Sequence, residues 1–380
     1  MQITGIICEY NPLHLGHQKQ IDHLRKLGHS VVCLMSGNFV QRGQPAIIDK
    51  MARAKAAVDC GADLVLEMPV TAALSSAEGF AAGGVSILSR LCDNLCFGAE
   101  TEQVQSLKAL ASALLSPEFS PLLRKHLDKG LSFPAARQAA LAEMGLNDAL
   151  LETPNNILAV EYCKAILSQD SALEILPIFR QGNYHSTVAD TDNPSATAVR
   201  QLMVAGGDFA PYIPQNAQPA VANAPMHWLE QGEKAILYRL RTMTDEEFEA
   251  LPFGSEGLWR KFMHACRQEN SLEEIIAATK SQRYTRTRID RMVMCAFLGI
   301  TEEDLRSPIP YCRVLAFNDR GRAILKQVKD DGFFVNIGTD TKHPHQALER
   351  RSTALYGLFA DTAEVPTAEE DYRVYYRKGE

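Results

Sequence analysis

The first hundred residues alternate short, nearly unbroken apolar runs with segments of helical period. Ile3 to Cys8 leads into Gly16 to Leu27, Val31 to Met35 into Asp49 to Asp59, and Asp63 to Glu67 into Glu78 to Ser89, before Leu95 to Phe97 closes the series. Strand, helix, strand, helix predicts a parallel sheet. Runs such as GIIC, VVCLM and LVLEM lack the alternating polar positions of a half-exposed strand, so the sheet is expected to be covered on both faces, with right-handed crossovers. The expected fold is α/β: a Rossmann-like, doubly wound parallel sheet. Ligands of such sheets bind beyond the carboxyl ends of the strands, which here means the loops opening at Glu9, Ser36, Met68 and Gly98.

Around residues 102–150 the pattern is helical and broken by Pro117, Pro121 and Pro134, as expected of a helical insertion. Thr153 and Pro154 then supply an N-cap and a first-turn proline, and Leu173 to Phe179 returns as a strand. A short helix follows Asp192 to Ser195 and stops at Gly206 and Gly207. The Pro-, Ala- and Asn-rich stretch up to Pro225 reads as a connector. Beyond it the chain is mostly helical to Leu305, and YCRVLAFNDRGRAILKQVKDDGFFVNIG then reads strand, turn, helix, strand. Residues 1–210 are therefore expected to form one domain, and residues 211–380 a mostly helical second one.

With 380 residues, 46% hydrophobic and 22% charged, the chain has ordinary globular composition and room for two domains. A net charge of -7 requires any nucleic-acid partner to be met by a local basic face. Nine cysteines lie scattered in apolar runs without CxxC pairs, which fits a reducing, cytoplasmic setting. The N-terminus has no signal-peptide pattern, and no apolar stretch reaches the roughly 18 residues of a membrane span.

The sharpest chemical feature is His14-Leu15-Gly16-His17, placed where the first strand turns into the first helix. A helix N-terminus offers unpaired N–H groups and partial positive charge to a phosphate, and two imidazoles can donate to its oxygens as charge builds up in a transition state. Gly16 is expected to keep the backbone accessible, with Asn11 and Pro12 forming the turn. The bland alternative is a pair of capping or surface histidines. Position favours phosphate. Ser195-Ala196-Thr197-Ala198-Val199-Arg200 offers a second site of the same kind: hydroxyls at a helix start and an arginine one turn later, suited to the departing pyrophosphate.

These two segments resemble the H-x-G-H and S-S/A-T-x-x-R motifs of the nucleotidylyltransferase superfamily. Together with EYNPLHLGH, SGNFVQRGQPAIIDKMARA, DLVLEMP, CFGAE, PNNILAVEYCKAI, FRQGNYH and YTRTRIDR, the chain from its first strand to about Gly321 resembles the bacterial tRNA(Met) cytidine acetate ligases. That resemblance implies ATP and acetate as substrates, an acetyl-adenylate intermediate, and acetylation of N4 of the wobble cytidine, position 34, of elongator tRNA(Met). It places the ATP contacts at Ile7, Cys8, Glu9, Tyr10, Asn11, Pro12, Leu13, His14, Leu15, Gly16, His17, Gln18, Lys19, Gln20, Gly98, Asn155 and Arg180. Ser195, Thr197 and Arg200 join them, His14 and His17 carry catalysis, and Mg²⁺ is expected alongside ATP without an assigned protein ligand.

Lys280, Arg283, Arg286, Arg288 and Arg291 crowd one stretch with Tyr284, and only Asp290 opposes them locally. This is the expected RNA-contacting segment, against the plainer reading of a solvated helix face. Arg42, Lys50 and Arg53 either extend it or are helix-surface charges. No zinc-deaminase signature is present, and no nucleophilic cysteine is expected. Two other functions compete: a cofactor-making nucleotidylyltransferase and a non-catalytic RNA-binding protein on a relict nucleotide fold.

Overall fold

A computed structural model of the protein describes residues 2–101, 103–146, 149–179, 194–281, 283–329, 332–335, 344–363 and 373–379. In chain order the strands are β1 (Ile3–Cys8), β2 (Ser30–Ser36), the short β3 (Phe39–Val40) and β4 (Gln44–Pro45), β5 (Leu64–Met68), β6 (Asn94–Ala99), β7 (Glu174–Phe179), β8 (Cys312–Asn318), β9 (Phe334–Val335) and β10 (Tyr375–Arg377). The main sheet runs β10-β8-β5-β2-β1-β6-β7, with β9 also paired to β8, and β3 and β4 form a separate hairpin. From β5 to β7 all neighbours are parallel.

Every residue of β2 and β5 is buried, as their unbroken apolar runs require. The pleat divides β2 between two cores: Val32 and Leu34 pack on one face, and Val31, Cys33 and Met35 on the other. β7 is more exposed and carries Pro177, a residue without a ladder donor that suits an edge.

Helices α1 (Leu15–Lys26), α2 (Lys50–Asp59) and α4 (Ala77–Leu88) lie between the first strands, as the periodicity predicts, and the single turn α3 (Val70–Ala73), which it does not mark, follows β5. The insertion consists of α5 (Val104–Leu115), α6 (Phe119–Leu127) and α7 (Phe133–Glu143). Next come α8 (Pro154–Ser168) and α9 (Ala196–Val204). Thr153 does precede α8, but its hydroxyl donates to Glu100 Oε2 at 2.8 Å and makes no cap bond.

The chain continues through α10 (Gln218–Ala222), α11 (Glu233–Thr242), α12 (Asp245–Glu249), α13 (Leu258–Gln268), α14 (Leu272–Thr279), α15 (Arg286–Leu298) and α16 (Glu302–Arg306). Helix α10 packs through Ala220 and Val221 into the core beneath β2 that holds Val31 and Met35, whereas α11 to α16 share a third core that includes Ile236, Phe248, Phe262 and Met292 and also takes in Phe39, Val70 and Leu74 from the first half of the chain. After β8 come α17 (Asp319–Gln327) and α18 (Pro344–Tyr356).

The expected division near residue 210 does not separate the sheet from the second half. β8 returns to pair antiparallel with β5, and β9 and β10 run parallel to β8. The sequence pattern marks a strand at 312–318 but carries no information on its partner. An uncovered edge of β5 would otherwise present unpaired backbone groups.

Two polar staples hold this addition in place. Asp63 is fully buried, accepts from Val31 N at 2.9 Å, Asn318 Nδ2 at 2.9 Å and Arg25 Nη1 at 3.0 Å, and so joins α1, β2 and the end of β8. Helix α17 begins so close to this corner that a Cβ on Gly321 would lie 2.0 Å from Asp63 O. At the other staple, Glu349 of α18 accepts from Val70 N at 2.6 Å, next to Lys50, which pairs with Glu67 at 2.7 Å. Burial, then the neighbouring Glu67, push the Glu349 carboxyl up to about 8.

Two stability predictions follow from these staples. Helix propensity alone makes Gly321→Ala stabilising by about 1 kcal/mol, but the clash with a backbone oxygen makes it destabilising by about 1–3 kcal/mol, so thermal unfolding should show a lowered midpoint. For Glu349 the folded pKa lies above the unfolded one, so its contribution is fully present below about pH 4.5 and is lost as pH rises through about 8. Glu349→Gln is expected to unfold at higher temperature than the parent at pH 8, with the gap closing toward pH 4.5.

Candidate active site

The site forms where β1 ends and the chain turns sharply into α1. Tyr10 adopts a positive φ of 43°, uncommon for a side-chain-bearing residue, and is buried with its hydroxyl 3.4 Å from Cys33 Sγ. Asn11 then accepts from Ile47 N at 2.7 Å through Oδ1, tying this loop to the segment that precedes α2. Burial, then Cys33, hold the Cys8 thiol well above its ordinary pKa, which agrees with assigning it no nucleophilic role.

His14 is the N-cap of α1. Its Nδ1 accepts from Gly16 N at 3.1 Å, while His17 Nδ1 accepts from His14 N at 3.3 Å, a reciprocal capping box built from two imidazoles. The rings stack with centroids 3.7 Å apart. Because each Nδ1 accepts, the proton of each neutral ring resides on Nε2, giving two hydrogen-bond donors at a helix N-terminus. The capping reading is thus met by both rings, in an arrangement compatible with the phosphate reading. Gly16 has a reason beyond backbone access: a Cβ there would lie 2.9 Å from the His14 ring.

The second motif meets the first directly. Ser195 caps α9, its Oγ accepting from Ala198 N at 3.1 Å. Arg200 donates from Nη1 to Asn11 O at 2.6 Å and from Nη2 to Thr197 Oγ1 at 3.2 Å. Burial lowers its pKa, opposed by Glu9 and reinforced by the positive charge of Arg42.

These elements enclose a cleft of about 630 Å³ and an adjoining compartment of about 150 Å³. The smaller is lined by His14, His17, Arg42, Gln44, Ser195, Thr197 and Arg200, among others, and is the polar end. The larger has an apolar end lined by Ile7, Phe80, Phe97, Leu158 and Tyr162, with the Phe97 and Tyr162 rings 5.3 Å apart. Its volume falls in the range of small-molecule sites. Among the described residues, Glu9 is the one carboxylate on the lining of either compartment.

Of the stretch 7–20, the lining residues are Ile7, Cys8, Glu9, Tyr10, Asn11, His14, His17 and Gln20. Pro12, Leu13, Leu15, Gly16, Gln18 and Lys19 are not. Helical period explains much of this: His17 and Gln20 share a face, whereas Gln18 is turned toward Asp22 and Cys60 O, at 2.7 and 2.9 Å. Leu13 is packed in the core. Gly98 and Asn155 line the larger compartment, and Asn155 donates to Glu100 Oε1 at 2.6 Å. Its neighbour Asn156 instead accepts from Glu100 N at 2.9 Å, buried in a structural role. Arg180, and the rest of the FRQGNYH block after Phe179, lie outside the described residues.

The basic segment differs from its reading as a run opposed only by Asp290. Arg283 pairs with Glu256 at 2.7 Å, and Arg286 with Glu273 at 2.7 Å as well as Asp290 at 3.0 Å. The fold supplies carboxylates that local sequence does not show. Arg288 donates to Phe253 O and stacks on Tyr284, so one face of that ring is occupied. Lys280 ends α14 and accepts through its carbonyl from Lys261. Arg291 and Thr287 line the larger compartment.

Lys50 and Arg53 are not surface charges. Lys50 is buried against Glu67, and Arg53 is fully buried, donating to the carbonyls of Glu9 at 2.8 Å, Ser36 at 2.9 Å, Ile48 at 2.9 Å and Gly37. Arg42 stands exposed at the tip of the β3–β4 hairpin and reaches both compartments. Gln41, Arg42, Gln44 and Thr287 are site residues that the two phosphate motifs do not flag. The QRG turn between Val40 and Gln44, with Gly43 at φ 73°, is the signal that marks this hairpin tip.

Among the described residues there is no cluster of three metal-ligating side chains, and no helix is long and apolar enough to cross a membrane.

Comparison with known proteins identifies the family. The family profile described as HIGH Nucleotidyl Transferase matches residues 1–371. The tRNA(Met) cytidine acetate ligase of Alkaliphilus metalliredigens is 37% identical, covering 100% of this chain and 99% of that protein. That of Clostridium novyi is 39% identical over 87% of this chain and 88% of its own. The crystal structure of apo Thermotoga maritima TmcAL superposes with a TM-score of 0.92 at 29% identity over the whole of both chains, and the form bound with alpha-thio ATP with 0.88. The chain belongs to the tRNA(Met) cytidine acetate ligases, within the HIGH nucleotidyl transferase family.

Proposed function

We propose that the chain activates acetate with ATP and transfers the acetyl group to N4 of cytidine 34 of elongator tRNA(Met). The observation that carries this reading is the convergence of His14, His17 and Arg200 from two distant segments on one polar compartment that opens into a larger, partly aromatic cleft. The triphosphate belongs in the polar compartment. There the two imidazoles, the α1 N-terminus, the Ser195 and Thr197 hydroxyls and the guanidinium of Arg200 face it, and the adenine belongs toward Phe97, Gly98 and Asn155.

In the first step an acetate oxygen bonds to the α-phosphorus while the bond to the bridging oxygen of the β-phosphate breaks, and pyrophosphate leaves with that electron pair. Donors fixed before reaction stabilise the charge that develops at phosphorus without reorganising. In the second step the N4 amine attacks the acetyl carbonyl carbon. The bond from that carbon to the phosphate oxygen breaks, AMP departs with the pair, and N4 loses one proton to solvent. Holding adenylate and base together in one cleft supplies the rate by proximity, without a covalent enzyme intermediate. Mg²⁺, when bound, would neutralise phosphate charge; it would be held mainly by the triphosphate, with Glu9 the carboxylate at hand. The outer residues Lys280, Arg283, Tyr284, Arg286 and Arg288 are proposed to contact the tRNA, the ion pairs of Arg283 and Arg286 exchanging for phosphates.

A cofactor-making nucleotidylyltransferase would share the polar compartment but has no use for the α15 wall, and a relict binding protein would show no turnover. The defining assay is acetate-dependent exchange of pyrophosphate into ATP, paired with mass spectrometry of nucleosides from tRNA(Met). Exchange indifferent to acetate would sink the proposal.

His14→Ala and His17→Ala should each reduce exchange by about 10²–10³-fold, the cost of losing one preorganised donor. Since the two rings cap one another, the double variant should fall little further than either single one. His14→Asn keeps a cap acceptor for α1 while removing the imidazole, so it should fold like the parent yet exchange as poorly as His14→Ala.

A further inference from the structure

Arg291 lies one helical turn beyond Thr287 on α15, and this shared face looks into the larger compartment while neighbouring residues of the same segment, such as Arg283, point to solvent. Burial lowers the pKa of its guanidinium, which stacks 5.1 Å over the Phe253 ring, and Nε has no hydrogen-bond partner among the described residues. Its adjacent carboxylate, Asp290, is engaged by Arg286. A partly desolvated cation of this kind gains most from an anion that enters the cleft.

Its position separates it from the triphosphate. Arg42 and Arg200 line both compartments, whereas Arg291 and Thr287 line the larger alone. The helix is also fixed there: a Cβ on Gly43 of the β3–β4 hairpin would lie 2.5 Å from the backbone of Asp290 and Arg291, so hairpin and α15 are in direct backbone contact. The same short segment thus carries outward-facing arginines suited to a polynucleotide and one arginine inside the reaction cleft.

We propose that this α15 wall is the acceptor end of the cleft, where Arg291, with Thr287 beside it, holds a phosphodiester of the single-stranded RNA next to the cytidine that is modified. The inference rests on the reading of the chain as an RNA acetyltransferase using acetyl-adenylate. It assigns Arg291 to the second half-reaction rather than the first.

The test compares Arg291→Gln and Arg291→Lys with the parent, using full-length protein and a tRNA(Met) transcript. Acetate-dependent pyrophosphate exchange with its apparent KM for acetate and ATP, single-turnover N4-acetylcytidine formation at saturating tRNA, and thermal melting are read together. Arg291→Gln is expected to keep exchange and both KM values within about twofold and to lose about 100-fold in acetyl transfer, the order expected for truncating a buried charged contact. Arg291→Lys should recover part of that transfer by restoring charge without the planar fork. A raised KM for acetate, or weakened ATP exchange, would assign the arginine to those anions and overturn the proposal, as would unimpaired transfer in Arg291→Gln. Should Arg291→Gln melt early, the folded Arg291→Lys variant decides: full transfer activity there refutes a need for the bidentate contact. If the parent itself makes no N4-acetylcytidine, the functional reading fails before Arg291 is at issue.

Discussion

Arg53 has no exposed surface, and its guanidinium gathers the carbonyl oxygens of Glu9, Ser36, Gly37 and Ile48. Those oxygens belong to the loops that leave β1 and β2 and to the turn into α2. Loops at the carboxyl end of a parallel sheet have no ladder to hold them, so their relative placement must come from side chains. One delocalised cation with a rigid fork does this for both, and the burial that lowers its pKa is offset by several oriented carbonyl dipoles. Glu9, Asn11 and the β3–β4 hairpin inherit their positions from it, and with them the wall that carries Gln41 and Arg42.

Net charge gives a poor description of such a molecule. The chain as a whole is acidic at -7, yet among the described residues the linings of the two joined compartments carry Arg42, Arg200 and Arg291 against the single carboxylate of Glu9. Walls of low polarisability concentrate that positive potential inside the cleft. In the segment that leads into α15 the balance differs again, because Arg283 and Arg286 are already paired with carboxylates from neighbouring elements.

Much of this was legible from local pattern. The nearly unbroken apolar runs of β2 and β5 announce a sheet covered on both sides, and HLGH at the first strand-to-helix turn marks the polar compartment because strand, turn and helix are contiguous in sequence. The insertion, α9 and its serine cap are local as well. What local pattern does not carry is partnership across long separations. Nothing near Lys50 or Arg53 shows that Glu67 and four carbonyls await them in the interior, so both read as surface charges. Glu256 and Glu273 are 27 and 13 residues from the arginines they neutralise. The docking of Gly43 against Asp290 and Arg291, which brings α15 to the cleft, joins segments nearly 250 residues apart and leaves only a glycine in a turn as its trace. Within 7–20, the six residues off the lining follow from the turn's geometry and the helical face, which the motif alone does not specify.

The antiparallel pairing of β8 with β5 has a bearing on biosynthesis. On the ribosome, the five parallel strands are complete once residue 179 has emerged, but the strand that shields the outer side of β5 arrives only with residues 312–318. Through that interval a strand that is apolar but for Glu67, LVLEM, has one unpaired edge, the circumstance in which nascent chains adhere to one another. The helices made in between already contact Val70 and Leu74 just past β5, so their early collapse onto that corner doubles as a temporary shield until the sheet is finished.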